Sequence, residues 1–242
     1  MIGKLSIVAT PIGNLEDITL RALRMLREAD LVAAEDTRRV AKLLNHFEIS
    51  VKTISYHSHN EHKKTDSILD KVEAGENVVI VSDAGTPCIA DPGFLAVREA
   101  VARGIEPEVI PGVSALTFAA VASGLPVVNF SFFGFLPVKK GRRERVLEQI
   151  KSEARTAFIY ESPYRMEKVL KHISEVFPPE TKVAIIREAT KLHEEVIRGS
   201  IIELIDELAD KNWKGECVIV ISPEVEEAKP KPKGNKYENC NS

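Results

Sequence analysis

Residues 77–93 read NVVIVSDAGTPCIADPG, a short apolar run followed by a loop rich in glycine and proline. The run VVIV at 78–81 is apolar without alternation, a pattern typical of a strand covered on both faces in a parallel sheet. In the loop, glycine permits backbone conformations that other residues avoid, and proline fixes φ. The stretch therefore predicts a stiff loop at the end of a buried strand, of the kind that holds a ligand.

Upstream and downstream of this stretch, short apolar runs alternate with amphipathic segments. Strands are predicted at residues 4–10, 31–35, 51–56, 77–83 and 107–112, and helices at 19–30, 36–48, 63–75, 94–104 and 113–124. Five strands that are each followed by a helix predict an α/β domain with a parallel sheet between helical layers. In such sheets ligands lie beyond the carboxyl ends of the strands, which is where the quoted loop begins.

The alternation changes after Gly124, where LPVVNFSFFGFLP brings prolines and an aromatic cluster, and we place a domain boundary near residues 125–129. Beyond it we predict helices at 141–153, 164–177 and 201–210, and strands at 156–162, 182–188, 194–200 and 217–222. The strands at 182–188 and 194–200 are joined by too few residues for a crossover helix. They are therefore expected to pair antiparallel, which makes this second sheet mixed.

The chain accordingly divides into an N-terminal α/β domain at residues 1–124, a C-terminal α/β domain at 129–223 and a tail at 224–242. The tail is rich in lysine and proline, lacks apolar periodicity and is predicted to be disordered. Three aromatic residues are expected in the core of the second domain: Phe130, Phe132 and Phe133.

Composition is typical of a soluble globular protein, with 44% hydrophobic and 29% charged residues among 242. The formal net charge of -3 argues against a body coated in basic charge, so any nucleic-acid contact must come from a local patch. Cys88, Cys217 and Cys240 form no CxxC pair, which favours a reducing compartment over a disulfide framework or a zinc site. Without a signal peptide or a window of about 20 apolar residues, we expect a cytoplasmic protein that does not cross a membrane.

Polar and glycine-containing segments follow each strand of the first domain. They read TPIGNLED, AEDTR, YHSHNEH, SDAGTPCIADPG and PGVSA in chain order. Five such segments at one edge of a sheet are expected to line a single cleft, although Asp36 could instead cap its helix and Asp83 its turn. The glycine patterns of the common dinucleotide and phosphate sites, G-x-G-x-x-G and G-x-x-x-x-G-K-[ST], are absent from the sequence.

Seven segments together carry a family resemblance: TPIGNLEDIT, AEDTR, SDAGTPCIADPG, PGVSA, GFLP, FIYESPYR and REATK. In this order and spacing they closely resemble the bacterial 16S ribosomal RNA cytidine 2′-O-methyltransferases of the tetrapyrrole methylase-like superfamily, over residues 4 to about 222. The resemblance implies two α/β domains, S-adenosylmethionine in the cleft between them, a homodimer, and methylation of a cytidine ribose in the decoding region of small-subunit RNA. Tetrapyrrole methylase relatives carry Gly-Asp-Pro in the fourth-strand loop, where this chain reads DAGTP at 83–87, and this difference argues against a porphyrin-like substrate.

The same resemblance implies which residues hold the cofactor. They are Pro11, Gly13, Asp83, Ala84, Gly85, Ile89, Ala90, Ser114, Ala115, Tyr160, Ala189 and Gly215. A methyl donor with an adenine, an amino acid end and a sulfonium cation needs backbone groups at close approach, an apolar slot and limited negative charge. Stiff loops of glycine, alanine and proline supply these.

The expected reaction is an in-line displacement in which a ribose hydroxyl attacks the sulfonium methyl group. Alignment lowers such a barrier by on the order of 7 to 11 kcal/mol in favourable cases, and a carboxylate or imidazole within hydrogen-bond reach removes the proton. The candidate acceptors are Glu35, Asp36, and His57 or His59 with Asn60. Arg38 is expected to hold a phosphate, and Lys191 to do the same or orient the hydroxyl, unless each is a solvated charge paired locally.

A basic cluster lies at the predicted start of the helix at 141–153. It contains Lys139, Lys140, Arg142 and Arg143. The helix dipole disfavours positive charge there by a typical ~0.3 to 1 kcal/mol per group, and a nearby anion reverses that penalty. We therefore expect contact with RNA phosphate rather than a merely solvated charge run. The candidates for stacking on splayed bases are Tyr56, His57 and Phe135.

Three alternatives stay open. The segment HSHNEH offers ligands for zinc or manganese, as in a metal-dependent hydrolase: His57, His59, Glu61 and His62. A small-molecule methyltransferase on the same fold would not need the basic cluster for activity. A non-catalytic RNA-binding module would not bind the methyl donor, whereas the favoured methyltransferase binds it and is expected to need no metal.

Overall fold

The computed structural model describes residues 2–208 and 211–223. Its first half alternates strands and helices: β1 Leu5–Val8, α1 Leu20–Glu28, β2 Leu31–Ala34, α2 Thr37–His46, β3 Lys52–Ser55, α3 Glu61–Glu73, β4 Val78–Val81, α4 Phe94–Ala102, β5 Glu108–Ile110 and α5 Ala115–Ser123. A short 3-10 helix, Leu15–Asp17, lies in the loop after β1. The five strands all pair in parallel in the order β3-β2-β4-β1-β5, so the predicted parallel sheet is confirmed.

The central strands of this sheet are covered on both faces. Every residue of β1, β2 and β4 is buried, with a separate apolar core on each side of the sheet. Helix α1 follows Thr19, whose hydroxyl accepts a hydrogen bond from the Ala22 amide, and it turns Leu23 and Leu26 into one of these cores. The helix cap and the apolar period of α1 thus decide where the helix begins and which face meets the sheet.

The second half forms a mixed sheet. Its elements are β6 Phe130–Phe135, α6 Lys140–Glu153, β7 Thr156–Glu161, α7 Met166–Val176, β8 Lys182–Arg187, β9 Glu195–Ser200, α8 Ile201–Leu208 and β10 Cys217–Ser222. The strand order is β6-β7-β10-β8-β9. β6 and β7 are parallel, whereas the other three pairs are antiparallel, including β8 with β9. The predicted mixed sheet is therefore confirmed.

Strand β6 is absent from the sequence prediction. Its pairing with β7 shifts register between Phe132 and Phe135, and Gly134 between them has a φ of +58°. This irregularity removes the apolar alternation that identifies a strand in a sequence. The expectation that Phe130 lies in the core is wrong, because it is 43% exposed on this edge strand, whereas Phe132 and Phe133 pack half-buried against the two cores of the domain.

Helix α5 connects the two halves of the molecule. It follows β5 in the chain but packs on the second sheet, where Ala119 shares a core with Phe158, Ala184 and Val220. By chain position α5 belongs to the first domain, and by packing it belongs to the second. This arrangement holds the carboxyl edge of the first sheet close to the second sheet.

Parts of two predictions lie outside the described residues: the disordered tail at 224–242 with Cys240, and the end of the helix at 201–210. Cys88 is half-buried, Cys217 is buried, and both are free thiols. Within residues 2–208 and 211–223, no helix is long and apolar enough to cross a membrane.

Candidate active site

A cleft of about 360 Å³ lies between the two sheets. Its walls come from the loops that follow β1, β2 and β4, from the start of α5, and from the second sheet. The loops after β1 and β4 are tied by two backbone hydrogen bonds, from Thr10 N to Gly85 O and from Gly85 N to Thr10 O, each 2.9 Å. The cleft thus opens at the carboxyl ends of the parallel strands, and its volume is in the range of small-molecule sites, about 300 to 1,000 Å³.

Nine of the twelve residues assigned to the cofactor by resemblance line this cleft. They are Asp83, Ala84, Gly85, Ile89, Ala90, Ser114, Ala115, Tyr160 and Ala189. These residues come from the loop after β4, the start of α5, strand β7 and the segment after β8. The fold therefore brings together four separate parts of the chain.

The other three cofactor candidates lie elsewhere. Pro11 and Gly13 line a second cavity of about 220 Å³, which shares part of its wall with the cleft. Gly215 lines neither cavity, because the Glu188 side chain lies over it and a Cβ at Gly215 would be 2.1 Å from Glu188 Cδ. Gly215 therefore lies outside the two cavities, whereas its neighbour Glu216 lines both.

The loop at 82–93 owes its stiffness to several constrained backbone positions. Gly85, Cys88 and Gly93 have φ values of +75°, +72° and +128°, and the Cys88 amide donates to the Pro92 carbonyl at 3.3 Å. A Cβ at Gly85 would lie 3.2 Å from Ile12 Cγ2. Glycine is therefore favoured at this position both by the left-handed backbone and by the close approach of the loop after β1.

Three carboxylates that line the cleft have raised pKa values, Glu35, Asp91 and Glu161, and burial is the main cause for each. Burial raises the pKa of Asp91 to about 6, and the nearby negative charges of Glu35, Asp83 and Glu216 add to this effect. Burial also raises the pKa of Glu35, and the Asp83 amide, which donates to Glu35 Oε2 at 3.3 Å, offsets part of the rise. A half-buried cleft with this charge favours a cationic ligand and offers a proton acceptor.

Aromatic side chains form one wall of the cleft. Tyr160 lies edge-to-face with Phe132 and Phe135, at ring-centroid distances of 4.9 and 5.9 Å. Phe135 is 57% exposed and lines the cleft, as a residue that stacks on bases would have to. Tyr56 is buried, with its hydroxyl 2.9 Å from Thr65 Oγ1, so the prediction that Tyr56 stacks on bases is wrong.

Asp36 and Arg38 pair with each other and line neither cavity. Asp36 Oδ1 caps α2 by accepting from the Arg38 amide at 2.9 Å, and the guanidinium donates to both carboxylate oxygens, at 3.0 and 2.7 Å. These hydrogen bonds hold the pKa of Asp36 well below its usual range, which makes it a weak base. At these two positions the structure shows the alternatives named for them: Asp36 caps its helix, and Arg38 is a charge paired locally with Asp36.

His57 and Asn60 form a turn before α3. Asn60 Oδ1 accepts from the His57 amide at 2.9 Å, and Asn60 Nδ2 lies 3.1 Å from His57 Nε2. These two residues and the exposed His59 line neither cavity. In the part of the chain that the structure describes, no group of three or more His, Cys, Asp or Glu side chains is placed to hold a metal ion, so HSHNEH does not assemble as a ligand set.

Lys191, unlike the candidates on α2 and before α3, reaches a cavity. Its ammonium group donates to Glu188 Oε1 at 2.8 Å and to Glu216 Oε2 at 3.0 Å, at the edge of the second cavity. A Cβ at Gly13 would lie 2.4 Å from Lys191 Cγ. The loop after β1 and the segment around Lys191 therefore touch directly, beside the cleft.

Three of the four cations predicted to contact RNA are exposed at the start of α6: Lys139, Lys140 and Arg142. Arg143 differs, since it is 1% exposed. Its Nε donates to His172 Nδ1 at 2.8 Å, and a second guanidinium nitrogen donates to the Val138 carbonyl at 3.1 Å. A buried guanidinium whose donors are used inside the protein does not reach a phosphate in solvent, so the prediction for Arg143 is wrong.

Residues 4–205 match the protein family described as Tetrapyrrole (Corrin/Porphyrin) Methylases. The match covers the whole first sheet and the second sheet as far as β9. The chain belongs to this family. The two sheets with a cleft between them are thus the tetrapyrrole methylase fold.

Within the tetrapyrrole methylase family, the chain is similar to proteins named Ribosomal RNA small subunit methyltransferase I. The one from Thermotoga maritima is 48% identical, over 91% of this chain and 98% of that protein. The one from Halalkalibacterium halodurans is 43% identical, over 94% of this chain and 78% of that protein.

Solved structures share the methylase fold at lower identity. The methyltransferase CobJ has a TM-score of 0.69 at 19% identity, covering 91% of this chain and 94% of its own. Uroporphyrin-III C-methyltransferase from Thermus thermophilus, in complex with S-adenyl homocysteine, has a TM-score of 0.64 at 20% identity, covering 90% and 97%. At such identities these similarities concern the fold.

Three acidic residues that line the cleft of this methylase are not among the site residues expected from the sequence: Asp91, Glu161 and Glu216. Asp91 carries a signal that could have identified it, because it lies inside the quoted glycine and proline loop. Glu216 carries none, since it stands alone before β10 and reaches the cleft only because β10 runs through the middle of the second sheet.

Proposed function

We propose that this chain is an S-adenosylmethionine-dependent methyltransferase that modifies ribosomal RNA of the small subunit. The observation that carries the proposal is the convergence of nine resemblance-assigned residues on one cleft between the sheets. The names of relatives that are 43% and 48% identical over more than nine-tenths of the chain support the RNA substrate.

The residues of the cleft fit this cofactor. Ile186 and Val218 supply an apolar wall suited to an adenine ring, and the backbone of the loop at 82–93 supplies donors and acceptors at close approach. Glu35 and Asp91 suit a sulfonium group, because opposite charge lowers the free-energy cost of placing a cation in a half-buried cleft.

When bound, the cofactor supplies a methyl group on a positively charged sulfur. Among the proton acceptors expected from the sequence, Glu35 is the one that lines the cleft, so it is the residue we assign to accept the proton of the attacking hydroxyl. The residues that form the walls of the cleft also have to align the hydroxyl with the methyl group.

The substrate we propose is the ribose 2′-hydroxyl of a cytidine in the decoding region of 16S ribosomal RNA, within the small subunit and in the cytoplasm. The seven motifs of the sequence support this choice, and so do the exposed cations Lys139 and Arg142, which follow the cleft-lining Phe135 in the chain. The family description names tetrapyrroles, but the segment at 83–87 departs from the Gly-Asp-Pro signature of tetrapyrrole methylase relatives.

We propose further that the chain acts as a homodimer. Val109, Val121 and Val128 are 59%, 85% and 95% exposed on β5, on α5 and after α5, and β5 is an edge strand of the first sheet. A symmetric contact with a second copy would remove these side chains from water. Val121→Glu is expected to convert the dimer to a monomer in sedimentation velocity, and a monomeric wild type at micromolar concentration would contradict the proposal.

The experiment that tests the function is transfer of radiolabelled methyl from S-adenosylmethionine to small ribosomal subunits that lack the modification, followed by mapping of the labelled nucleotide. We expect label on one cytidine 2′-oxygen. The matched control is naked 16S RNA, which tells whether the assembled subunit is required.

Label on a base, or no label despite measurable cofactor binding, would overturn the proposed reaction. In the second case a tetrapyrrole acceptor becomes the next substrate to assay. A protein that does not bind S-adenosylmethionine in calorimetry would overturn the cofactor assignment as well.

A further inference from the structure

The second cavity, of about 220 Å³, lies beside the cofactor cleft and has no role in the function as proposed so far. The two cavities share Ile12, Asp83, Ala84, Arg39 and Glu216. A ligand in the second cavity would therefore lie next to the cofactor cleft, against residues that line both cavities. This is the position that a methyl acceptor needs.

The lining of this cavity combines an apolar wall with cations. Leu15, Val40 and Leu43 supply apolar surface. Its charged lining residues are three cations and two carboxylates, an excess of one positive charge: Arg39, Lys42, Lys191, Asp83 and Glu216. A nucleotide is complementary to this lining, because its flat base can pack on the apolar wall and its anionic phosphate can pair with the cations.

The three cations differ in how far they are neutralised. Lys191 is bonded to two glutamates, and Arg39 Nε lies 3.4 Å from Asp83 Oδ2 with the arginine side chain 58% exposed. Lys42 is exposed, and it makes no ion pair with any residue in the ranges 2–208 and 211–223. Arg39 and Lys42 are three residues apart on α2 and thus point to the same side of that helix.

We propose that the second cavity binds the target nucleotide of the RNA, with Arg39 and Lys42 contacting the phosphates that flank it. This inference rests on the proposed function and extends it to the acceptor side of the site. Phosphate contacts position a nucleic acid, and single-stranded nucleotides are held by apolar surface against the base, so both parts of the lining have a partner. Pro11 and Gly13, which resemblance assigns to the cofactor, would then contact the acceptor.

Lys42→Ala is the main test. Among the described residues no carboxylate pairs with Lys42, so its removal leaves no buried or exposed charge without its partner. We expect the KM for small subunits to rise roughly three- to tenfold, and the slope of log affinity against log salt to fall by about 1. The Kd for S-adenosylmethionine should not change. Lys42→Arg should restore the salt slope, since it keeps the charge.

The matched control is Lys52→Ala. Lys52 is an exposed lysine at the amino end of β3, the opposite end of the first sheet from the cleft, so it loses the same charge far from the cavity. Its KM and salt slope are expected to equal those of the wild type.

The outcomes distinguish the proposed methyltransferase function from the proposed nucleotide site in the second cavity. A wild type that transfers no methyl to RNA contradicts the proposed function and this inference with it. An active wild type whose Lys42→Ala variant keeps its KM and salt slope overturns the inference alone. A Lys42→Ala variant with a changed S-adenosylmethionine Kd assigns the cavity to the cofactor, which also overturns it.

Discussion

Gly85 and Gly104 have nearly the same backbone conformation, with φ values of +75° and +74°, but they meet different surroundings. A Cβ at Gly85 would press on Ile12, whereas a Cβ at Gly104 has no atom within 4 Å. Both positions share the strain that any side chain suffers in the left-handed region, about 1 to 2 kcal/mol. The pair therefore separates backbone strain from the shape of the cleft.

Gly85→Val is expected to weaken S-adenosylmethionine binding at least tenfold, because the added branches enter the cleft beside Ile12. Gly104→Val should lower the free energy of unfolding by about as much as Gly85→Val does, because the two positions share the same backbone strain, and it should leave binding unchanged. Calorimetric titration and urea unfolding of the two variants make the comparison. Equal cofactor affinities would show that Gly85 does not shape the site.

Asp91 is expected to make the cleft locally unstable at neutral pH. Its pKa is raised to about 6 in the folded protein, against an ordinary 3.8, so the folded state holds the proton more tightly than the unfolded chain. The contribution of Asp91 to stability is therefore complete below about pH 4 and is lost as the pH rises through about 6.

Asp91→Asn should raise the free energy of unfolding at pH 8 by about 1 to 2 kcal/mol and leave it unchanged near pH 4. It should also weaken binding of the cationic cofactor at pH 8. Asp206→Asn, at an exposed position on α8, is the control and is expected to change stability by less than about 0.5 kcal/mol at either pH. A stability gain for Asp91→Asn that is equal at both pH values would contradict this account.

At the scale of the element, helix α6 places two successive arginines in opposite environments. Arg142 is exposed, and Arg143 is buried against His172 of α7 and the carbonyl groups of 137–138. Burial and the Arg143 charge lower the pKa of His172, which keeps the ring neutral and able to accept from Arg143. Arg143 thus fixes the segment between β6 and α6 that presents the exposed cations.

Arg143→Ala should lower the free energy of unfolding by about 2 to 4 kcal/mol, because it leaves His172 Nδ1 and two carbonyl oxygens without a donor. Arg142→Ala should stay within about 0.5 kcal/mol of the wild type and weaken RNA binding in a salt-dependent way. Urea unfolding and RNA titrations at two salt concentrations separate the effects. The reverse pattern would contradict the assignment of the two side chains.

On the scale of the whole molecule, the cleft exists because the loop after β1 touches the segment after β8 beside it. The Asn14 amide donates to Thr190 Oγ1 at 3.1 Å, and Gly13 lies against Ala189 and Lys191. Together with α5 on the second sheet, this contact sets the distance between the walls. Changes at the contact are expected to alter the site without touching a ligand.

Gly13→Ala should push the two loops apart, since the new Cβ would lie 2.4 Å from Lys191 Cγ and 3.0 Å from the Ala189 carbonyl oxygen. We expect methyl transfer to fall about tenfold or more, because misplacement by an ångström costs rate. Gly141→Ala is the control: no atom lies within 4 Å of its Cβ, and alanine favours α6 by up to about 1 kcal/mol. Unchanged transfer by Gly13→Ala would show that the contact does not set the site.

The sequence alone determined the α-helices of the described chain and every described strand except β6, and the motifs named nine residues that line the cleft. These features depend on local patterns, such as the unbroken apolar run of β4 and the glycines of the loop after it, which act within a few residues. Motif order then connected the loops to a family. Strand β6 was not predicted, because its bulge at Gly134 breaks the local apolar pattern that identifies a strand.

Only the tertiary structure decided which polar residues face the cleft. Arg142 and Arg143 are indistinguishable in sequence, yet packing against α7 buries one of them. Gly215 and Glu216 differ in the same way, because the Glu188 side chain covers the first and leaves the second at the cavity walls. The physical reason is that burial and charge pairing depend on residues distant in the chain, which no local pattern specifies.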